Sequence, residues 1–516
     1  MKKIFTLILA GCCTFGAVHA QKWKPTPHPV VAQSTDTTVN KEVNSRKIVT
    51  ESTVITNHEM TIKGQHVSYK AITGTLPVWD ESGKAIAGLF YTYYERTDVK
   101  DRTNRPLVIS FNGGPGSASV WMHIAYTGPV VLNLDDEGYP VQPYGYKENH
   151  ASILDVADIV YIDPVNTGYS RAINKDIPGS NFFGVNADIK YLAEWINTFV
   201  TRNNRWSSPK FLIGESYGTT RVSGLALELQ NSQWMYLNGV VLVSPTELGV
   251  VRGEAMNGAL YLPYFAATAW YHKVLSPALQ AKTLNEMLPE VEGFTMNELV
   301  PALSKGSQLS DTEKKAIAAK MSLYSGLSEN VILQHNLIVP TDFFWKELLR
   351  DKGFTVGRLD SRYKGIDRQD AGDGPDYNAE LTSWLHSFTP AINMYIRKEL
   401  NYKTDLKYNM FGSVYPWDNS NDHTAENLRQ AMASNPYLHL LVQSGYYDGS
   451  SCNYFNAKYD MWQLDPAGKL KDRMSWEGYE SGHMMYLRKD DLVKATDNLR
   501  EFISKSLPKP GVAAKF

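Results

Sequence analysis

Cysteine is scarce in this chain: three occur in 516 residues, at positions 12, 13 and 452. Two of them fall in an apolar leader, so its removal leaves one thiol and no possible intramolecular disulfide. Burial and hydrogen bonding must then hold an exported fold together, which suits a bacterial periplasm better than a disulfide-rich secretory route. Among twelve histidines there is no HExxH or comparable helical pair, so neither a metal nor another cofactor is expected. Charge of one sign is also missing. With 52 basic against 54 acidic residues, a net charge of −2 and no basic block, nucleic acid and anionic membranes are poor partners. Past the leader, no apolar run is long enough to span a bilayer.

The leader itself reads as a signal peptide over residues 1–20. Met1-Lys2-Lys3 supplies positive charge, Ile4 to Val18 an apolar stretch, and Ala17-Val18-His19-Ala20 a small-residue cleavage site before Gln21. A rival reading takes Leu9-Ala10-Gly11-Cys12 as a lipobox, which would make Cys12 a lipidated terminus. Residues 21–47 are rich in Pro, Thr and polar side chains and read as a tether.

Three segments carry chemistry. Pro209 to Ile213 is an apolar strand, Thr219 to Gln230 has helical periodicity, and between them stands Gly214-Glu215-Ser216-Tyr217-Gly218. A strand turning sharply into a helix lifts a serine hydroxyl out of the sheet, and small neighbours suit so tight a turn. Arg105 to Phe111 reads as a buried strand running into Asn112-Gly113-Gly114-Pro115-Gly116, whose bare backbone amides suit an oxyanion hole. Gly114 and Tyr217 would supply its two N–H groups. Downstream, the strand Leu438 to Ser444 precedes Gly445-Tyr446-Tyr447-Asp448, and Ser481-Gly482 delivers His483. The chain order Ser216, Asp448, His483 is that of the α/β-hydrolase fold.

On these motifs, together with Ile162 to Ser170 and Gly482-His483-Met484, the chain resembles the serine carboxypeptidase family from about residue 85 onward. The stretches Glu347 to Arg350 and Gly357 to Tyr363 resemble its bacterial branch. The resemblance implies a peptide substrate, with Ser216 as nucleophile, His483 as general base and Asp448 as its orienting carboxylate. It also implies that Asn112, Gly113 and a protonated Glu215 hold the substrate's terminal carboxylate, since all three can donate hydrogen bonds. Glu215 as a purely structural carboxylate is the alternative. Departures from the family pattern are Phe111 for a tryptophan, Ser117 for a cysteine, and Tyr126 where counting along the loop places a second glutamate. Acyl transfer or ester hydrolysis on the same triad, or an inert binding protein on this scaffold, are the competing functions. For Arg358, Asp360 and Arg362, which alternate as strand neighbours would, surface ion pairing is favoured over substrate binding.

Strands alternating with helices predict a mostly parallel sheet with helices on both faces. An antiparallel lead-in is expected over 48–95, with a turn at Glu81-Ser82-Gly83. Strands are expected at 157–162 and 237–243. A helix with Asn186 as N-cap would bury Ile189, Leu192, Ala193, Ile196, Phe199 and Val200. The hydrolase core is expected over 48–245 and 406–516, and residues 246–405, largely helical, as an inserted cap. Nothing in the sequence sets an oligomeric state.

Overall fold

The computed structural model describes residues 46–509 and 511–516. The expected leader, with Cys12, and nearly all of the tether lie outside the described residues.

The main sheet is built from β1 (Ser52–Ile62), β2 (Gln65–Trp79), β3 (Ala85–Arg96), β4 (Leu107–Phe111), β5 (Asp158–Ile162), β6 (Lys210–Glu215), β7 (Gly239–Val243), β8 (His439–Gly445) and β9 (Met474–Tyr479). Their spatial order is β1-β2-β3-β5-β4-β6-β7-β8-β9, with the two-residue strand Arg171–Ala172 added beside β3. The first three strands form antiparallel hairpins. Lys63 and Gly64, both at positive φ, make the two-residue turn that matches strand twist. From β5 to β9 every pairing is parallel. Strands β4 to β7 are buried at every residue, as expected of parallel strands covered on both faces.

Two cores flank the sheet. One gathers the helices Val185–Arg202 and Tyr217–Ser232. The other gathers the C-terminal helix Lys489–Lys505 and the helix Ala379–Lys398, through residues such as Leu499, Phe388 and Ile392. Residues 259–356 carry a third core of their own, which reaches Tyr447 and Phe455 near the sheet. The segment 246–405 therefore divides: its first part is a helical cap, and its last long helix covers the sheet itself.

Two local expectations need correction. The helix expected to start at Asn186 has Gly184 as N-cap, because the backbone there is tied across the molecule by Val185 N–H donating to the Asp418 carbonyl. A tertiary contact, not the asparagine side chain, sets the start. Arg358, Asp360 and Arg362 lie in a turn and not on a strand, and of the three only Arg358 is exposed. Asp360 and Arg362 are buried, with a 2.6 Å ion pair between them, inside a turn that laces onto the loops after β8 and β9.

Candidate active site

Strand order decides where chemistry can occur. From β4 the chain passes to β5 on one side, then crosses to β6 on the other, so the sheet has a switch point at β4 with a crevice beyond its strand ends. The pairing Phe111↔Gly214 brings the loop after β4 beside the turn after β6. Asn112 and Gly113 therefore meet Glu215 and Ser216.

Ser216 is the sharp point of that turn. Its backbone sits at φ 56° and ψ −129°, a region that costs a non-glycine residue about 1–3 kcal/mol. Neighbouring contacts enforce it: the Ser216 N–H donates to the Val243 carbonyl at 3.0 Å, and a Cβ on Gly214 would lie 2.1 Å from the Gly218 carbonyl oxygen. Only glycine lets the strand and helix approach this closely. Tyr217 is the first helical residue, so its amide has no intrahelical acceptor and stays available. Gly114, at φ 103°, lines the same cleft as Ser216, Tyr217 and His483.

From the other side, the loop after β8 carries Asp448 and the turn after β9 carries His483. His483 Nδ1 lies 2.6 Å from Asp448 Oδ2, and both residues are buried. The other carboxylate oxygen of Asp448 accepts from the Ser450 amide at 3.0 Å and from its hydroxyl at 2.6 Å. The His483 N–H donates to the Leu359 carbonyl at 2.6 Å, and its own carbonyl accepts from Ser244 Oγ at 2.7 Å. Burial acts to lower the imidazole's pKa, but the charge and hydrogen bond of Asp448, with Glu215 behind, carry it above the ordinary value. Ser216 and His483 do not hydrogen-bond to each other here. They face one cleft of about 450 Å³, and such bonds commonly tighten only with substrate. A larger cleft of about 880 Å³, lined by Trp79, Glu194 and Glu228, touches none of these groups.

Glu215 lies beneath the serine, 2% exposed. Its Oε2 accepts from Asn112 Nδ2 at 3.0 Å and from the hydroxyl of Tyr486, while its Oε1 faces His483 Nε2 at 4.0 Å. Burial pushes the carboxyl up to about 7, against the opposing pull of His483 and of the donors Tyr486 and Asn112. The carboxamide of Asn112 is fixed in turn, its Oδ1 accepting from the Met122 amide at 3.1 Å. Gly113 packs so tightly that a Cβ there would stand 2.3 Å from the Tyr217 nitrogen.

Tyr126 does not meet Glu215. Its hydroxyl donates to Gln443 Oε1 at 2.7 Å, and its ring stacks on Tyr486 at 4.8 Å between centroids. Counting along one loop could not show this, because Tyr486 arrives from the turn after His483. Two further groups escaped sequence reasoning. Arg221, fully buried, donates to Asp188 Oδ2 at 2.7 Å, the Asn112 carbonyl at 2.6 Å and the Pro115 carbonyl at 3.4 Å, so one guanidinium straps the loop after β4 to the helix after Ser216. Its only sequence signal was a charge inside an otherwise buried helical face. Cys452, the thiol predicted to survive alone, is buried against Ser216, and burial raises its pKa well above the usual thiol range. Among the described residues no cluster of His, Cys, Asp and Glu could hold a metal ion, and no helix is long and apolar enough to cross a membrane.

Comparison with known proteins bears on this arrangement. A solved structure of KEX1(delta)p, a prohormone-processing carboxypeptidase from Saccharomyces cerevisiae, superposes with a TM-score of 0.51 at 16% identity, covering 85% of this chain and 92% of that one. That likeness shows the fold, an α/β-hydrolase architecture with a mostly parallel central sheet. In sequence, serine carboxypeptidase-like 36 of Arabidopsis thaliana is 30% identical over 165 residues, 31% of this chain and 32% of the relative. Putative serine carboxypeptidase-like 30 of the same plant is 27% identical over 239 residues, 44% of this chain and 43% of its own length. The chain thus spans between about a third and under half of the length of these relatives. The serine carboxypeptidase family model matches residues 61–484, most of the chain, and the protein belongs to that family.

Proposed function

We propose that the protein is a serine-type carboxypeptidase that releases C-terminal residues from peptides through an acyl-enzyme. Ser216 Oγ attacks the last peptide carbonyl and passes its proton to His483 Nε2, while Asp448 fixes the imidazole tautomer. The amides of Gly114 and Tyr217 receive the developing oxyanion. His483 then protonates the leaving amine as the C–N bond breaks, and a water activated by the same imidazole hydrolyses the ester. The observation that carries the exopeptidase reading is Glu215: a buried carboxyl beside the nucleophile, hydrogen-bonded to Asn112 and held partly protonated near neutrality. A protonated carboxyl, the Asn112 carboxamide and the Gly113 amide form a donor set for a substrate carboxylate, and for little else.

Within the family we assign the chain to the bacterial branch, on the segments 347–350 and 357–363. We further propose that it acts after export to the periplasm or medium, supported by the leader reading and the single thiol left after cleavage. Sequencing of the mature N-terminus should begin at Gln21, whereas incorporation of a lipid precursor at Cys12 would replace that picture. For the activity, rates on an N-blocked dipeptide acid and its amide should differ strongly. Equal rates would favour an endo-acting enzyme or an esterase.

A further inference from the structure

Two charged side chains line the catalytic cleft without a hydrogen bond or ion pair to any described residue: Arg358 and Asp342, both exposed. They are not equivalent. Asp342 sits in the first turn of the helix Thr341–Glu347, where backbone amides partly offset its charge. Arg358 acts through space on the buried Glu380 carboxyl but bonds to neither nearby acid: Asp360 is taken by Arg362, and Glu380 accepts from the Leu359 amide. Its backbone is fixed to both catalytic loops. The Arg358 carbonyl accepts from the Gly449 amide at 2.9 Å, one residue past Asp448, and the next carbonyl, Leu359, accepts from the His483 amide at 2.6 Å. The charge acts on His483, lowering its pKa slightly against the pull of Asp448. Ser450, Ser451 and Thr341 line the same cleft, which gives it a partly polar wall.

We propose that Arg358 is a binding residue for a substrate carboxylate on the wall of the catalytic cleft, which makes acidic residues beside the scissile bond preferred. A guanidinium presents a planar fork that a carboxylate meets with two hydrogen bonds, and an unpartnered fork in a substrate cleft has that as its best ligand. The side chain of a glutamate or aspartate is the favoured source, since Asn112, Gly113 and Glu215 lie beneath the serine to take the chain terminus. A terminal carboxylate is the other source. The inference rests on the peptidase reading, and its test separates the two.

The test is calorimetric binding of N-blocked dipeptides to Ser216→Ala protein with and without Arg358→Gln, using Glu and Gln at each of the two positions, as acids and as amides. A side-chain site predicts that Glu binds on the order of tenfold tighter than Gln at one position, and that Arg358→Gln abolishes the difference. Arg358→Lys should keep part of it, as charge without the fork. If the variant instead erases only the difference between acid and amide, Arg358 holds the terminal carboxylate, and the role proposed for Glu215 falls. Equal binding of Glu and Gln peptides, with an acid preference untouched by the variant, overturns the inference and leaves the peptidase reading standing. Binding of no peptide at all sinks both. Arg358 is exposed, so an unchanged melting temperature checks that the variant folds.

Discussion

Replacing Tyr486 with phenylalanine should extend activity toward alkaline pH. The ring is fully buried and stacked on Tyr126, so the substitution removes one oxygen and little else. That oxygen donates to Glu215 Oε2, leaving only Asn112 as donor to that atom when it is gone. A donor stabilises the ionised carboxylate more than the neutral acid, so its loss must raise a pKa that burial already holds near 7. Hydrogen bonds to charged groups contribute about 1.5–3 kcal/mol. At 1.36 kcal/mol per pH unit, the expected rise is about one to two units. Because the proposed sensor works protonated, the alkaline limb of kcat/KM for a peptide acid should move up by that amount. The acidic limb, set by His483, should move little. The assay is kcat/KM of an N-blocked dipeptide acid and its amide, from about pH 4 to about pH 9, for wild type and Tyr486→Phe. A limb that stays put, moves down, or moves equally for the amide would refute the assignment of Glu215 and Tyr486 to carboxylate recognition.

Other perturbations have equally definite outcomes. Gly113→Ala places a Cβ 2.3 Å from the Tyr217 nitrogen, so activity should fall by orders of magnitude and the melting temperature should drop, as read by thermal denaturation. Arg221→Met leaves Asp188 buried without its cation, which should cost about 3–5 kcal/mol in denaturant titration, and Asp188→Asn in the same chain should recover part of it. Burial holds the Glu380 carboxyl up to about 7, so the folded chain retains a proton that the unfolded chain releases at ordinary glutamate pH. Its share of stability is therefore full at acid pH and lost as pH rises through about 7, by at most about 3 kcal/mol, and Glu380→Gln should flatten that decline in melting temperature. Ser216→Ala and His483→Ala should each remove most of kcat, with the double variant hardly worse than either alone; multiplicative losses would contradict a shared unit.

What the sequence showed, and what it hid, follow from the range of the forces involved. The elbow at Ser216 is local: a buried strand, small residues and a helix are contiguous, so the turn could be read directly. The same holds for the oxyanion loop after Phe111 and for most core strands. Strand β9 was missed because its first four residues are half-exposed or exposed, its last two are buried and the pattern does not alternate, as at a sheet edge. The start of the helix Val185–Arg202 was misplaced because Asp418, far along the chain, fixes it. The placing of Tyr126 beside Glu215 failed for a similar reason: its aromatic partner Tyr486 is 360 positions away in sequence, and only the folded sheet brings the two together. Asp360 and Arg362 look like surface charges until the cap and the β8 loop close over them. Long-range packing of polar groups leaves no periodic trace.

The central claim is that peptides are shortened one residue at a time from a free C-terminus. Mass spectrometry of a defined peptide pool incubated with mature protein tests it most directly, with each peptide present as acid and as C-terminal amide. The account predicts ladders that shorten from the C-terminus, strongest for the acids and absent with Ser216→Ala. Internal cuts, ladders from the N-terminus, or equal trimming of acids and amides would contradict it.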